Sequence, residues 1–159
     1  MPRIEISISE QSLALIEGGR EVRRYAVSTS KNGPGEREGS FCTPRGEHIV
    51  RAKIGEGEPF NTVFVKRRPT GEIWAPELGE RFPGRDWILT RILWLSGREP
   101  GRNRLGKVDT MRRYIYIHGS PDTVEMGKPG SIGCIRMRNR DVVELFELVP
   151  AGTEVRITA

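Results

Sequence analysis

The chain has 159 residues, 36% of them hydrophobic and 30% charged, with 19 glycines and 11 prolines. That length suits one domain, residues 1–159, able to bury a core without disulfide or metal staples, and the turn-rich composition suits a strand-dominated fold. The formal charge of +5 comes with no RNA- or DNA-binding motif. No apolar run reaches the ~18 residues a membrane-spanning helix needs, so nucleic-acid binding and a membrane span are both set aside.

Residues 1–28 read as two or three short strands, with Ile4, Ile6 and Ile8 alternating against polar residues and a turn at Glu17-Gly18-Gly19. Residues 30–46 form a polar, glycine-rich loop ending in Thr43-Pro44. Strands are expected over 47–53 and 62–67, with Ile73 to Ala75 extending the sheet. Residues 85–96 are nearly continuously apolar, with Trp87 and Trp94; they fit a long strand or a buried helix, and periodicity does not choose. Residues 97–110 are a loop.

The run Arg112 to Ile117 has a period of two and predicts a strand ending at His118-Gly119. Its alternation puts Tyr114, Tyr116 and His118 on one face, and Ile115 and Ile117 on the other. A polar loop from Ser120 to Gly130 closes on Ser131-Ile132-Gly133-Cys134. Beyond it, Val142, Leu145, Phe146 and Val149 have the spacing of one helical face, with Asn139 or Asp141 as a cap. Pro150 to Gly152 ends that helix, and 154–157 is a last strand. The fold class is therefore mostly β, a sandwich or barrel with one or two short helices.

His118 and Cys134, with fifteen residues between them, are one each of only two histidines and two cysteines. A thiol needs a base to act as a nucleophile at neutral pH, and an imidazole within reach can take its proton. Gly133, immediately before Cys134, permits a tight turn whose backbone N–H groups converge, so Ile132, Gly133 and Cys134 are candidates for an oxyanion hole. A buried structural thiol and an ordinary strand-end histidine are the plain alternatives. Ser131 is placed to brace the loop. Arg136 is either a surface charge or a fork for a substrate carboxylate, and Tyr114 and Tyr116 either line the pocket or pack in the core. Basic residues Arg112, Arg113, Arg136, Arg138 and Arg140 surround the motif, which suits a small anionic substrate. The spacings Cys42-x5-His48 and His118-x15-Cys134 do not fit a structural zinc site; no metal or cofactor is expected, and Cys42 and His48 are read as structural.

The pattern Tyr114-x-Tyr116-Ile117-His118-Gly119, then Ser131-x-Gly133-Cys134-Ile135-Arg136, resembles the signature of the L,D-transpeptidase (YkuD-domain) family of peptidoglycan enzymes. Ile4 to Ile8 followed by Gln11 to Ile16 is similar to that family's opening hairpin. Tyr25 to Ser30 and Thr43-Pro44-Arg45-Gly46 are similar to its second strand and Thr-Pro-x-Gly turn, so the likeness covers essentially the whole chain. Many members carry His where this chain has Ile132, a position that acts mainly through its backbone N–H. The resemblance favours a strand over residues 85–96. It implies that Cys134 attacks the L-centre carbonyl of meso-diaminopimelate in a tetrapeptide stem and D-alanine leaves. His118 would serve as base and then acid, its tautomer held by the Gly119 carbonyl. Water would then release a tripeptide, whereas an amine would give a cross-link or an exchanged D-amino acid.

Met1-Pro2-Arg3-Ile4-Glu5-Ile6 enters the first strand at once, without an apolar signal region. If that start is native, a cytoplasmic protein is expected; a signal upstream would make it periplasmic. A free reactive thiol agrees with a reducing compartment. The segment Arg85 to Thr110, leading into Arg112-Arg113-Tyr114, resembles the family's unexported branch. The expectation is thus an L,D-carboxypeptidase of cell-wall recycling acting on a tetrapeptide or muropeptide. The alternative is a cross-linking or exchanging L,D-transpeptidase, and from another class a non-catalytic basic binding module; the oligomeric state is open.

Overall fold

The computed structural model describes residues 1–159. Strands β1 (Arg3–Ser7), β2 (Ser12–Glu17) and β3 (Arg20–Ala26) form the expected meander, turning at Gly18 and Gly19. β4 (Gly46–Ile54) is followed by a hairpin of β5 (Thr62–Val65) and β6 (Arg68–Ile73), then by a short helix α1 (Pro76–Arg81) and β7 (Leu89–Gly97). The remaining elements are β8 (Tyr116–Ser120), β9 (Ile135–Arg138), helix α2 (Asn139–Leu148) and β10 (Glu154–Thr158). No helix is long and apolar enough to cross a membrane.

One sheet runs in the order β3-β2-β1-β10-β4-β7-β5-β6, and β8 pairs with β7 and β9. The sheet curls until the chain after β3 meets its far end. Ser28 and Arg136 exchange backbone hydrogen bonds of 3.0 and 2.9 Å, and a bridge joins Ser30 to Ser131. Inside the curl lie Ile4, Ile6, Leu13, Leu15, Val155 and Ile157 from the alternating strands, with Ile115, Ile117, Ile135 and Met137 from the site region. The amphipathic face of α2 closes this core with Val142, Leu145 and Phe146; each such side chain contributes about 2 kcal/mol by leaving water.

Several elements depart from the sequence-based expectation for identifiable reasons. The strand expected over 112–117 begins only at Tyr116, because Asp109 organises a turn first. Its carboxylate accepts the N–H groups of Leu105 and Arg112 at 2.7 and 3.0 Å, Arg113 N–H donates to its backbone carbonyl, and Tyr114 is left at φ 58°. The strand also continues through Gly119 and Ser120, which pair in parallel with Met137 and Arg138 of β9. The apolar run 85–96 resolves into strand, but only from Leu89. Residues 62–67 split at Lys66 and Arg67, whose φ values of 49° and 65° make the hairpin turn between Val65 and Arg68. That turn geometry normally takes Asn-Gly, so the sequence hid it; β6 ends at Ile73, and Trp74 and Ala75, expected to extend the sheet, lie outside it. Helix α2 starts earlier than expected: Arg138 is its N-cap, with no side-chain capping bond, and Asn139 is employed elsewhere.

His48 on β4 is fully buried; Nδ1–H donates to the Gly46 carbonyl at 3.0 Å, and Nε2 accepts from the Thr110 hydroxyl at 3.0 Å. That arrangement satisfies the neutral ring, and burial pushes its pKa down to about 4, against the nearby carbonyl and carboxylates that pull it up. Because the folded pKa lies below the unfolded value of about 6.5, His48 favours folding fully above that pH, and the contribution fades as pH falls towards 4. Urea unfolding at pH 8, 6, 5 and 4 is expected to show His48→Gln losing about 3 kcal/mol less stability than wild type over this range. Parallel pH profiles for the two proteins would exclude this role.

Candidate active site

The parallel register of β8 and β9 builds the site. Ile117 lies opposite Ile135 and both face the core, so Tyr116 and His118 share the opposite face with Cys134 and Arg136. Cys134 packs on a small cluster of Phe64, Ile92 and Tyr116. Its sulfur accepts the Tyr116 N–H at 3.3 Å, and its S–H donates to the Tyr114 carbonyl at 3.4 Å. No direct hydrogen bond joins the thiol to His118; the two sit two strand positions apart on one face. The His118 Nδ1–H donates to the Gly119 carbonyl at 2.6 Å. A carbonyl can only accept, so the proton is on Nδ1 and the Nε2 lone pair is free.

Electrostatics keep both groups neutral. Burial lowers the His118 pKa; the Asp86 charge and the Gly119 carbonyl oppose that, and Arg136 adds to it. Burial pushes the Cys134 thiol up to about 12. The Tyr116 N–H is the main opposing influence, Asp86 raises the thiol further, and Arg136 and Arg113 draw it down. The pair is thus a thiol beside a free base rather than a thiolate–imidazolium ion pair.

The elbow holding Cys134 is tied down through its neighbours. The Ser131 hydroxyl donates to the Cys134 carbonyl at 2.6 Å and accepts the Gly133 N–H at 3.2 Å. Thr43 donates to the Gly133 carbonyl at 2.9 Å, and Ser131 N–H donates to Thr29. Gly133 has φ 132°, and a Cβ there would crowd Ile115 and the Cys42 carbonyl at 3.1 and 3.3 Å, so any other residue would be strained at this position. With the Gly133 N–H occupied by Ser131, the elbow donors without a protein acceptor are those of Ile132 and Cys134.

Behind the imidazole, three residues from distant elements form a closed polar triangle. Thr90 donates to Asn139 Oδ1 at 2.7 Å, Asn139 Nδ2 donates to Asn61 Oδ1 at 2.7 Å, and Asn61 N–H donates to the Thr90 hydroxyl at 3.0 Å. The triangle presses on Gly119, where a Cβ would lie 2.4 Å from Asn139 Oδ1 and 2.6 Å from the Leu89 carbonyl. Thr90 adopts φ 75° and Asn61 φ 68° to make it, a strained conformation for a β-branched residue. Asn139 thus serves this buried network and not the helix cap that its sequence position suggests.

A cleft of about 590 Å³ opens over Cys134, lined by Phe41, Val65, Arg67, Tyr114, Tyr116 and Ile132 among others. Tyr114 and Tyr116 both line it, although Tyr114 reaches it from the turn and not from the strand face. Arg136 does not offer a free fork: it is mostly buried, donating to Asp86 at 3.1 Å and to the Gly130 carbonyl at 3.1 Å. The sequence reading passed over three site features: Asp86, the Asn61–Thr90–Asn139 triangle and Arg67. Only the run Lys66-Arg67-Arg68 carried any local signal, and its meaning depended on a turn that composition does not disclose.

A family model described as the L,D-transpeptidase catalytic domain matches residues 1–157. A putative L,D-transpeptidase YkuD from Bacillus licheniformis is 30% identical over 156 residues, covering 98% of this chain and 65% of that protein. The putative L,D-transpeptidase YqjB from Bacillus subtilis is 30% identical over 157 residues, covering 99% and 71%. Among solved structures, an L,D-transpeptidase from Mycobacterium smegmatis shares the fold with a TM-score of 0.59 at 19% identity, over 99% of this chain and 58% of that one. The chain spans 65% and 71% of the length of those two curated relatives and 58% of the solved one. From Arg3 at the opening strand to the last strand, then, this chain belongs to the L,D-transpeptidase family, matching its catalytic domain.

Proposed function

We propose that the site is a cysteine acyl-transfer centre for peptidoglycan stems, cleaving the bond between the L-centre of meso-diaminopimelate and D-alanine through a Cys134 thioester. The observation that carries this reading is the shared strand face, which puts a neutral thiol at the cleft and a buried imidazole with a free Nε2 two strand positions away on the same face. Rotation of the thiol away from the Tyr114 carbonyl delivers its proton to His118 as Sγ attacks the stem carbonyl. The developing oxyanion is received by the N–H groups of Ile132 and Cys134. His118 then returns the proton to the departing D-alanine amine as the C–N bond breaks, leaving the thioester. The Gly119 carbonyl keeps the ring in the required tautomer throughout, the role an aspartate plays in a serine triad.

Water, deprotonated by His118, then attacks the thioester, releases the tripeptide and restores the thiol. This L,D-carboxypeptidase outcome suits cell-wall recycling, and it is favoured by a cleft whose volume is that of a site for one small ligand. A second reading, L,D-transpeptidation to an amine acceptor, is favoured by the names of the curated relatives and by the exposed rim residues Phe41, Tyr114 and Ile132.

Mass spectrometry of products from a disaccharide-tetrapeptide, with and without excess D-amino acid or a second stem, tests both. Loss of terminal D-alanine alone, abolished in Cys134→Ala, is expected for the carboxypeptidase; dimers or exchanged termini would make the enzyme a transpeptidase. An intact stem under every condition would overturn the reading. A raised thiol pKa predicts that iodoacetamide labelling of Cys134, followed by peptide mass spectrometry, climbs through pH 10 with no plateau. A plateau near pH 7 would mean a preformed thiolate. Finally, Asn139→Ala is expected to lower kcat about tenfold with little change in KM, because the Gly119 backbone that bonds His118 loses the side chain packed against its Cα. Lower thermal stability with an unchanged kcat would make the triangle purely structural.

A further inference from the structure

The tip of the β5–β6 hairpin brings Lys66 and Arg67 to the cleft, and the Arg67 guanidinium is held in an unusual setting. The Arg67 guanidinium stacks 4.7 Å from the Trp94 ring and 4.9 Å from the Tyr114 ring, and Nη1 donates to the Tyr116 hydroxyl at 3.0 Å. The ring of Trp94 in turn meets Tyr116 edge-on at 5.9 Å, and its N–H is held by the Met111 carbonyl. Two aromatic rings and the Tyr116 hydroxyl therefore hold the guanidinium in place. Holding it there requires Lys66 and Arg67 both to take left-handed backbone conformations at the hairpin tip, and strain of this kind persists only where the surroundings enforce it.

Arg113 of the cleft wall, and Arg136, which pairs with the cleft-lining Asp86, are already committed. Arg136 is paired with Asp86 and the Gly130 carbonyl. Arg113 donates to the carbonyls of Cys42 at 2.6 Å and Gly35 at 3.3 Å. Asp86, the carboxylate among the cleft-lining residues, is occupied by Arg136. Arg67 has no carboxylate partner and spends one of its five N–H donors on Tyr116. The remaining donors lie beside walls made by Phe64, Val65, Ile88 and Ile115, in the cleft that Cys134 also lines. A rigid, planar, unpaired guanidinium against apolar walls matches a planar anion and gains most from a bidentate one.

We propose that Arg67 is the carboxylate-recognising residue of this site, binding a free carboxylate of the donor stem and thereby setting the scissile carbonyl over Cys134. This rests on the peptidoglycan reading above and deepens it. Of the free carboxylates of the stem, two belong to the residues joined by the scissile bond, and the assignment is to one of these: the terminal one of D-alanine or the one on the D-centre of diaminopimelate. Either would occupy the open donors of Arg67 while the Tyr116 hydroxyl and the two stacked rings hold the fork still. Arg67 is then a binding residue rather than a participant in proton transfer, and its removal is felt in KM before kcat.

The test uses three donors: the tetrapeptide stem, the same stem ending in D-alaninamide, and the stem amidated on the D-centre carboxylate of diaminopimelate. Release of the terminal residue is followed for wild type, Arg67→Met, which keeps the apolar length of the side chain, and Arg67→Lys, which keeps the charge but not the fork. Thermal unfolding and the rate of Cys134 alkylation report whether fold and thiol are intact in each variant. For wild type, amidation at one of the two positions is expected to lower kcat/KM about ten- to a hundredfold, mainly through KM, and the position affected identifies the carboxylate. In Arg67→Met that preference collapses to near unity, and Arg67→Lys recovers part of it.

Wild type processing all three donors equally, or a preference that survives in Arg67→Met, would overturn the assignment while leaving the peptidoglycan reading in place. Loss of activity in Arg67→Met on all donors alike, with slowed Cys134 alkylation, would likewise overturn it and make Arg67 a hairpin fastener. Failure of wild type to process the unmodified stem would instead sink the functional reading, and the Arg67 assignment with it.

Discussion

Everything at the site depends on the parallel pairing of β8 with β9. The two strands are joined by a loop of fourteen residues, 121–134, and their register lays His118 beside Arg136 and brings the residue before β9 under the Tyr116 amide. A shift of one position would turn Cys134 and Arg136 into the core and expose Ile135 and Met137, because strand side chains alternate. The register is therefore held by the same apolar residues that build the barrel interior. Closure of the sheet through Ser28 and Ser30 fixes it from the other side. Core packing and site geometry are one constraint here, not two.

Burial then sets the chemistry. The thiol and the imidazole are each more easily kept neutral than charged, which disfavours a resting thiolate. Asp86 and Arg136 sit across the same region with opposite signs, so their influences on the pair partly cancel. The cations at the hairpin tip, Lys66 and Arg67, have no carboxylate partner and give the cleft a cationic wall.

The fold and the site were legible to different depths. The outer strands could be read because Ile4, Ile6 and Ile8, or Val155 and Ile157, alternate with polar neighbours and nothing overrides that period. The start of β8 was misplaced because the Asp109 carboxylate captures backbone N–H groups that the strand would otherwise use; β-branched composition carries no trace of that competition. The β5–β6 hairpin was missed because Lys66-Arg67 turns without glycine or asparagine. Asn139 looked like a helix cap from its position, yet its amide is bound to Thr90, 49 residues away in sequence, and to Asn61, 78 residues away.

The sequence alone determined which atoms are available for chemistry: a histidine on an alternating strand, and a cysteine behind a glycine that permits a tight turn. Those are local facts, written in periodicity and in the backbone demands of one turn. The tertiary structure decided which neighbours the chemistry would have. It engaged Arg136 with Asp86, withdrew the Gly133 N–H to Ser131, set the polar triangle behind Gly119 and swung Arg67 over the cleft. Each of these joins groups whose partners are chosen by burial and by the need to satisfy buried polar atoms, a condition that exists only once distant segments have packed together.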